Sequence, residues 1–72
     1  MYYYLYTSDM YLEEIDYEDN KLNYVKFSNK DKELRAAIKY FDTADEIRKI
    51  VFIELGVELK IGKMKLFGKE EE

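Results

Sequence analysis

Residues 41–67 read FDTADEIRKIVFIELGVELKIGKMKLF, and the spacing of their apolar positions changes midway. Up to Leu55 the spacing is helical: Ile47, Ile50, Val51 and Leu55 fall on one stripe. Thr43 and Glu46 stand three residues apart ahead of it, the pattern of a reciprocal cap in which each side chain serves the other's free backbone N–H. Gly56 supplies a left-handed stop. The spacing therefore predicts a helix over 44–55. Beyond Gly56 the period drops to two, with Val57, Leu59 and Ile61 alternating with Glu58 and Lys60. Across Gly62 the parity shifts to Met64 and Leu66, which predicts a β-bulge at the glycine and a strand running to about Phe67.

Working outward, the N-terminal half also has strand character. MYYYLYT at residues 1–7 is rich in tyrosine, a good strand residue. Alternation there puts Tyr2, Tyr4 and Tyr6 on one face and Tyr3 and Leu5 on the other. YLEEIDY and KLNYVKF flank EDNK, in which Asp19 and Asn20 tolerate the left-handed backbone of a tight hairpin turn. Residues 31–41 are ambiguous. Leu34, Ala37, Ile38 and Phe41 have helical spacing, while Ile38 and Tyr40 alternate with Lys39, and a short strand at 36–41 is the preferred assignment. The order β-β-β-(β)-α-β predicts one domain over 1–72 of the α+β class, with a helix packed across a small antiparallel sheet.

Composition closes several chemistries. Apolar residues make up 47% of the 72, and 17% are aromatic, too many for a disordered chain. Cysteine is absent, so there is no disulfide framework, thiolate nucleophile or cysteine zinc site. Histidine, the commonest general acid/base, is absent too. What survives is carboxylate, lysine or tyrosine chemistry, and no spacing singles out such a pair. The expectation is a protein that is not an enzyme and carries no cofactor. No secretory signal or lipidation motif is recognisable, and the longest apolar runs fall far short of the roughly 20 residues that span a bilayer. A soluble, cytoplasmic protein without membrane contact is expected. At this size the stability margin is thin, and a homodimer would add burial.

Charge is unevenly spread. Residues 1–20 carry Asp9, Glu13, Glu14, Asp16, Glu18 and Asp19 with no Lys or Arg, while residues 21–69 carry all 12 basic residues. One consequence is structural: Glu13, Glu14 or Asp16 opposite lysines on a neighbouring strand keep a sheet soluble, each pair contributing up to about 1 kcal/mol. The functional alternative is a negative strip presented to a basic surface of another protein, with Tyr11, Glu13, Glu14, Asp16, Tyr17, Glu18 and Asp19 as its contact residues. Asp16, Glu18, Asp19 and Asn20 are also oxygen donors, but neither the glycine nor the closing glutamate of an EF-hand frame is present, so no metal site is expected. Stacking of single-stranded nucleic acid on the tyrosines is disfavoured, because that mode wants basic surroundings and the tyrosine-rich segment is the acidic one.

Within residues 36–66, AIKYFDTADEIRKIVFIELGVELKIGKMKL resembles short accessory proteins encoded by phages and mobile elements of low-GC Gram-positive bacteria. In these a strand runs into Phe-Asp-Thr or Phe-Asp-Ser, a helix follows, and Gly-Val leads into a final strand. The group includes anti-CRISPR inhibitors. The resemblance implies a phage-encoded inhibitor or modulator of a host protein and assigns no individual residue a role. The alternatives are a nucleic-acid-binding regulator using Lys21, Lys26, Lys60, Lys63, Lys65 and Lys69, or a subunit that self-assembles through open strand edges.

Overall fold

The computed structural model describes residues 1–64. They form an α+β fold: a four-stranded antiparallel sheet with one helix packed across it. The strands are β1 (Tyr2–Tyr6), β2 (Met10–Glu18), β3 (Lys21–Asn29) and β4 (Lys60–Met64), in the order β3-β2-β1-β4. A single 3-10 turn at Lys30–Lys32 follows β3, and helix α1 (Phe41–Leu55) carries the chain over the sheet to β4.

Asp19 and Asn20 make the β2–β3 turn with φ of 53° and 64°, two left-handed residues in succession. That geometry matches the right-handed twist of the strands it joins. Alternation on β1 and β2 sends Leu5, Leu12, Ile15 and Tyr17 toward the helix. There they meet Ala44, Ile47 and Val51 of α1, with Ile38, Leu59 and Ile61 closing the core. Leu5, Leu12 and Val51 are fully buried.

Five sequence expectations change, the start of the last strand among them: β4 begins at Lys60, and Val57 and Leu59 precede it outside any strand. The helix begins at Phe41 rather than at 44, with Tyr40 as the extended N-cap residue and no side-chain cap bond. Its first backbone bond runs from the Ala44 N–H to the Tyr40 carbonyl at 3.1 Å. Thr43 thus lies inside the first turn, and the Thr43–Glu46 cap does not form. The cause is tertiary. Ile38 is tied to Tyr3 by two backbone bonds of 2.7 and 2.9 Å, and Phe41 packs edge-on against the Tyr3 ring at 5.6 Å. The chain turns helical as soon as it leaves that attachment, which brings Ala44 into the core.

Residues 36–41 form no full strand. β1 and β2 are in register only at Tyr6↔Tyr11. Beyond that pair, the Ala36 N–H donates to the Leu12 carbonyl on one side and Ile38 bridges Tyr3 on the other. The segment is a short insert between two diverging strands.

The helical stripe is Ala44, Ile47, Ile50 and Val51, and Leu55 stays exposed at the last turn.

No bulge occurs at Gly62. β4 pairs with β1 in unbroken register from Tyr6↔Lys60 to Tyr2↔Met64. The parity change marks instead a strand whose apolar residues switch faces: Ile61 stands opposite the buried Leu5, and Met64 opposite Tyr2 on the outer face. The irregularities lie in the β2–β3 hairpin, where register shifts between Leu12 and Glu14 and between Asp16 and Tyr17. Continuation of the last strand to Phe67 lies outside the described residues. No helix among them is long and apolar enough to cross a membrane.

Candidate partner-binding surface

The outer face of the sheet, turned away from α1, holds most of the residues that the sequence singled out. On β2 the inward positions are Ile15 and Tyr17, so Glu14, Asp16 and Glu18 point outward and are exposed. Two residues along a strand span about 6.7 Å, so the three carboxylates form a regular row. None of them makes an ion pair among the described residues, although Glu14 stands in register with Lys26 and Glu18 with Lys21. Asp16 accepts a hydrogen bond from Asn23 Nδ2 at 3.3 Å. Asp19 extends the row at the turn and is exposed.

Three of the seven predicted contact residues have other roles. Glu13 is the extra residue of the bulge beside Leu12. Its carboxylate accepts a short hydrogen bond from the nearly buried Ser28 hydroxyl and lies 3.7 Å from Lys26 Nζ. Only 16% of its side chain is exposed, so Glu13 ties β2 to β3. Tyr17 faces the helix and packs against the core. Burial first, and the neighbouring Glu46 carboxylate second, push its hydroxyl above the ordinary tyrosine value. Tyr11 does lie on the outer face, but under two cations: Arg35 Cζ is 4.5 Å and Lys30 Nζ 5.6 Å from its ring centroid.

Tyr24, by contrast, was missed. It is half exposed on β3 directly opposite Asp16, in the middle of the carboxylate row. Counting back from the Asp19-Asn20 turn would pair Asp16 with Asn23. The extra residue at Asn23 shifts the partner to Tyr24, and nothing local in the sequence announces that shift.

The other end of the same face is aromatic and basic. Tyr4 meets Tyr6 at 5.5 Å and Tyr11 edge-on at 5.6 Å. Arg35 covers Tyr4 and Tyr11, held by Glu33 at 2.9 Å, and Lys30 covers Tyr6 and Tyr11. Lys60 stands in register with Tyr6. One sheet face thus runs from cations over tyrosines to free carboxylates at the hairpin end. Lys21 and Lys26 on β3 and Lys60 and Lys63 on β4 occupy opposite edges of the sheet, so these four do not share one basic face. Lys65 and Lys69 lie outside the described residues.

A concavity of about 470 Å³ opens between the hairpin tip and α1, lined by Asn20, Asp42, Asp45, Glu46, Lys49, Ile50 and Ile53. Its Asp45 carboxyl is held below the usual aspartate value, chiefly by the Arg48 hydrogen bond and then by Lys49. Among the described residues no group of three His, Cys, Asp or Glu could hold a metal ion.

No protein-family model, no curated protein and no solved structure matches the chain.

Proposed function

We propose that the chain is a non-enzymatic binding protein that inhibits or modulates a host protein carrying a basic surface. It would engage that surface through Glu14, Asp16, Glu18 and Asp19, with Tyr24 as the aromatic anchor. One observation carries this reading: Glu14, Asp16 and Glu18 form an outward row, without ion pairs among the described residues, around a half-exposed tyrosine. Charge held on a rigid strand steers encounter with an oppositely charged partner and disfavours wrong ones. A half-exposed tyrosine is a preferred anchor at an interface. The resemblance to phage accessory proteins supports a phage origin and a cytoplasmic host target, including a defence protein whose groove normally holds nucleic acid.

The test is capture from a Gram-positive host lysate after nuclease treatment, comparing wild type with the triple variant Glu14→Lys, Asp16→Lys, Glu18→Lys. A host protein retained by wild type and lost by the folded triple variant is the expected result. Equal retention by both would remove the carboxylate row from the interface.

A second reading, a binder of single-stranded nucleic acid, draws on the other end of the same face. There Lys30 and Arg35 surround Tyr4, Tyr6 and Tyr11 with positive charge that is not apparent from the N-terminal segment alone. Aromatic platforms bordered by cations suit base stacking. Oligonucleotide binding that weakens steeply with salt, and that is lost in Arg35→Ala, would favour it over the first.

A further inference from the structure

One flank of α1, beside the buried stripe of Ala44, Ile47 and Val51, carries Phe41, Asp45, Arg48, Phe52 and Leu55. Their spacing is 4-3-4-3, the seam along which two helices pack. Phe41, Phe52 and Leu55 are 49%, 53% and 48% exposed, a large apolar content for a solvent-facing ridge on a helix of 15 residues. Between the aromatics sit one acid and one base, which pair with each other within the helix at 2.6 Å. Flanking the seam on one side are Asp42 and Lys49.

We infer that this ridge docks a second copy of the chain, with the two α1 helices antiparallel about a two-fold axis near residues 46 and 47. The pattern is self-complementary in that orientation. Phe41 of each copy meets Phe52 of the other, Asp45 meets Arg48, and Asp42 on the flank faces Lys49. A two-fold interface requires this reciprocity, each residue meeting its counterpart twice. The parallel orientation sets Asp45 against Asp45 and Arg48 against Arg48, like charges in both polar layers of the seam. Charge complementarity therefore selects both the occupant and its direction.

The contact is modest. A helix of 15 residues is about 22 Å long and about 10 Å across, so the strip it presents covers roughly 220 Å², well short of the roughly 800 Å² per partner of a standard interface. The dimer is therefore in exchange with monomer at micromolar to millimolar concentration. The carboxylate row lies on the far side of the sheet, so dimerisation leaves both copies of it free. The inference is independent of the proposed partner.

Sedimentation equilibrium from about 10 μM to about 1 mM, the range that resolves affinities of about −7 to −4 kcal/mol, tests it. The expected result is a mass rising from monomer toward dimer. Phe52→Glu, on a half-exposed position, should hold the chain monomeric at every concentration while its circular dichroism remains that of wild type. Asp42→Lys should weaken the dimer, and the charge swap Asp42→Lys, Lys49→Asp should restore it. A wild-type chain that stays monomeric throughout, a dimer unaffected by Phe52→Glu, or a charge swap as weak as Asp42→Lys alone would overturn the antiparallel dimer.

Discussion

The ring of Tyr4 lies over Gly62, its partner across the β1–β4 pairing, in the space that a Cβ at residue 62 would fill. Gly62 is therefore an accommodation of the aromatic cluster on the outer face. The backbone there has no need of glycine's conformational freedom, since the register is unbroken.

This gives a first prediction. Gly62→Ala must push the Tyr4 ring out of its place between Tyr6, Tyr11 and Arg35, at a cost of about 1–3 kcal/mol. In the background of Tyr4→Ala the same substitution should cost much less, because the obstructing ring is gone. Urea midpoints for the two single variants and the double variant measure the coupling, and strict additivity would contradict the arrangement.

Glu13 and its neighbours should separate stability from binding. Glu13→Ala leaves the nearly buried Ser28 hydroxyl without its acceptor and removes the Lys26 ion pair, for a loss of about 1–2 kcal/mol. Reversing Glu14, Asp16 and Glu18, all exposed, should change stability by no more than about 0.5 kcal/mol each. Thermal midpoints check both. For a domain of this size 1 kcal/mol corresponds to roughly 4–8 °C.

The start of α1 gives a third prediction. If Thr43 were the cap, its replacement by Ala would cost about 1 kcal/mol. With Tyr40 as the N-cap residue, Thr43→Ala should be close to neutral. Tyr40→Asp should stabilise the helix by about 0.5–1 kcal/mol by supplying the missing side-chain acceptor beside the helix dipole. The pair of equilibrium unfolding curves decides between the two starting points.

Two titrating groups should shape the pH profile from opposite ends. The folded state raises the Tyr17 hydroxyl above 10.0, so its contribution is fully present below that pH and is lost as pH climbs through the raised folded value. Tyr17→Phe should flatten that alkaline decline. Asp45 is lowered from 3.8 by Arg48 and Lys49, so its contribution is present above that pH and is lost as pH falls through the depressed folded value. Asp45→Asn should flatten the acid limb, and added salt should diminish the difference, because the pair is partly exposed. Urea midpoints across the pH range measure both slopes.

Local patterns were enough for the parts of the fold whose causes are local. The Asp19-Asn20 turn, the Gly56 stop with φ of 74° and the placing of Tyr3 and Leu5 on one face of β1 each follow from a few adjacent residues. The same is true of the alternation of Ile15 and Tyr17 with Glu14 and Asp16. That alternation is local, yet the candidate strip names Tyr17 together with Glu14, Asp16 and Glu18, and it is packing against α1 that separates the inward tyrosine from the outward carboxylates.

The rest depended on partners far along the chain. A cap at Thr43 and a cap at Tyr40 are both compatible with the stripe from Ile47 to Val51. The attachment of Ile38 to Tyr3 decides between them, across 35 residues of sequence. Likewise, a glycine at a parity change marks either a bulge or a close approach. The side chain that makes the approach, Tyr4, lies 58 residues away. Glu13 and Tyr24 exchanged roles because each bulge in the hairpin moves every later cross-strand neighbour by one position. By itself the sequence determined the turns and the period of the helix and strands, since these follow from steric and hydrophobic preferences over a few residues. Only the tertiary structure decided register, helix start and which polar side chains remain free, because each rests on which backbone and side-chain groups meet across the sheet.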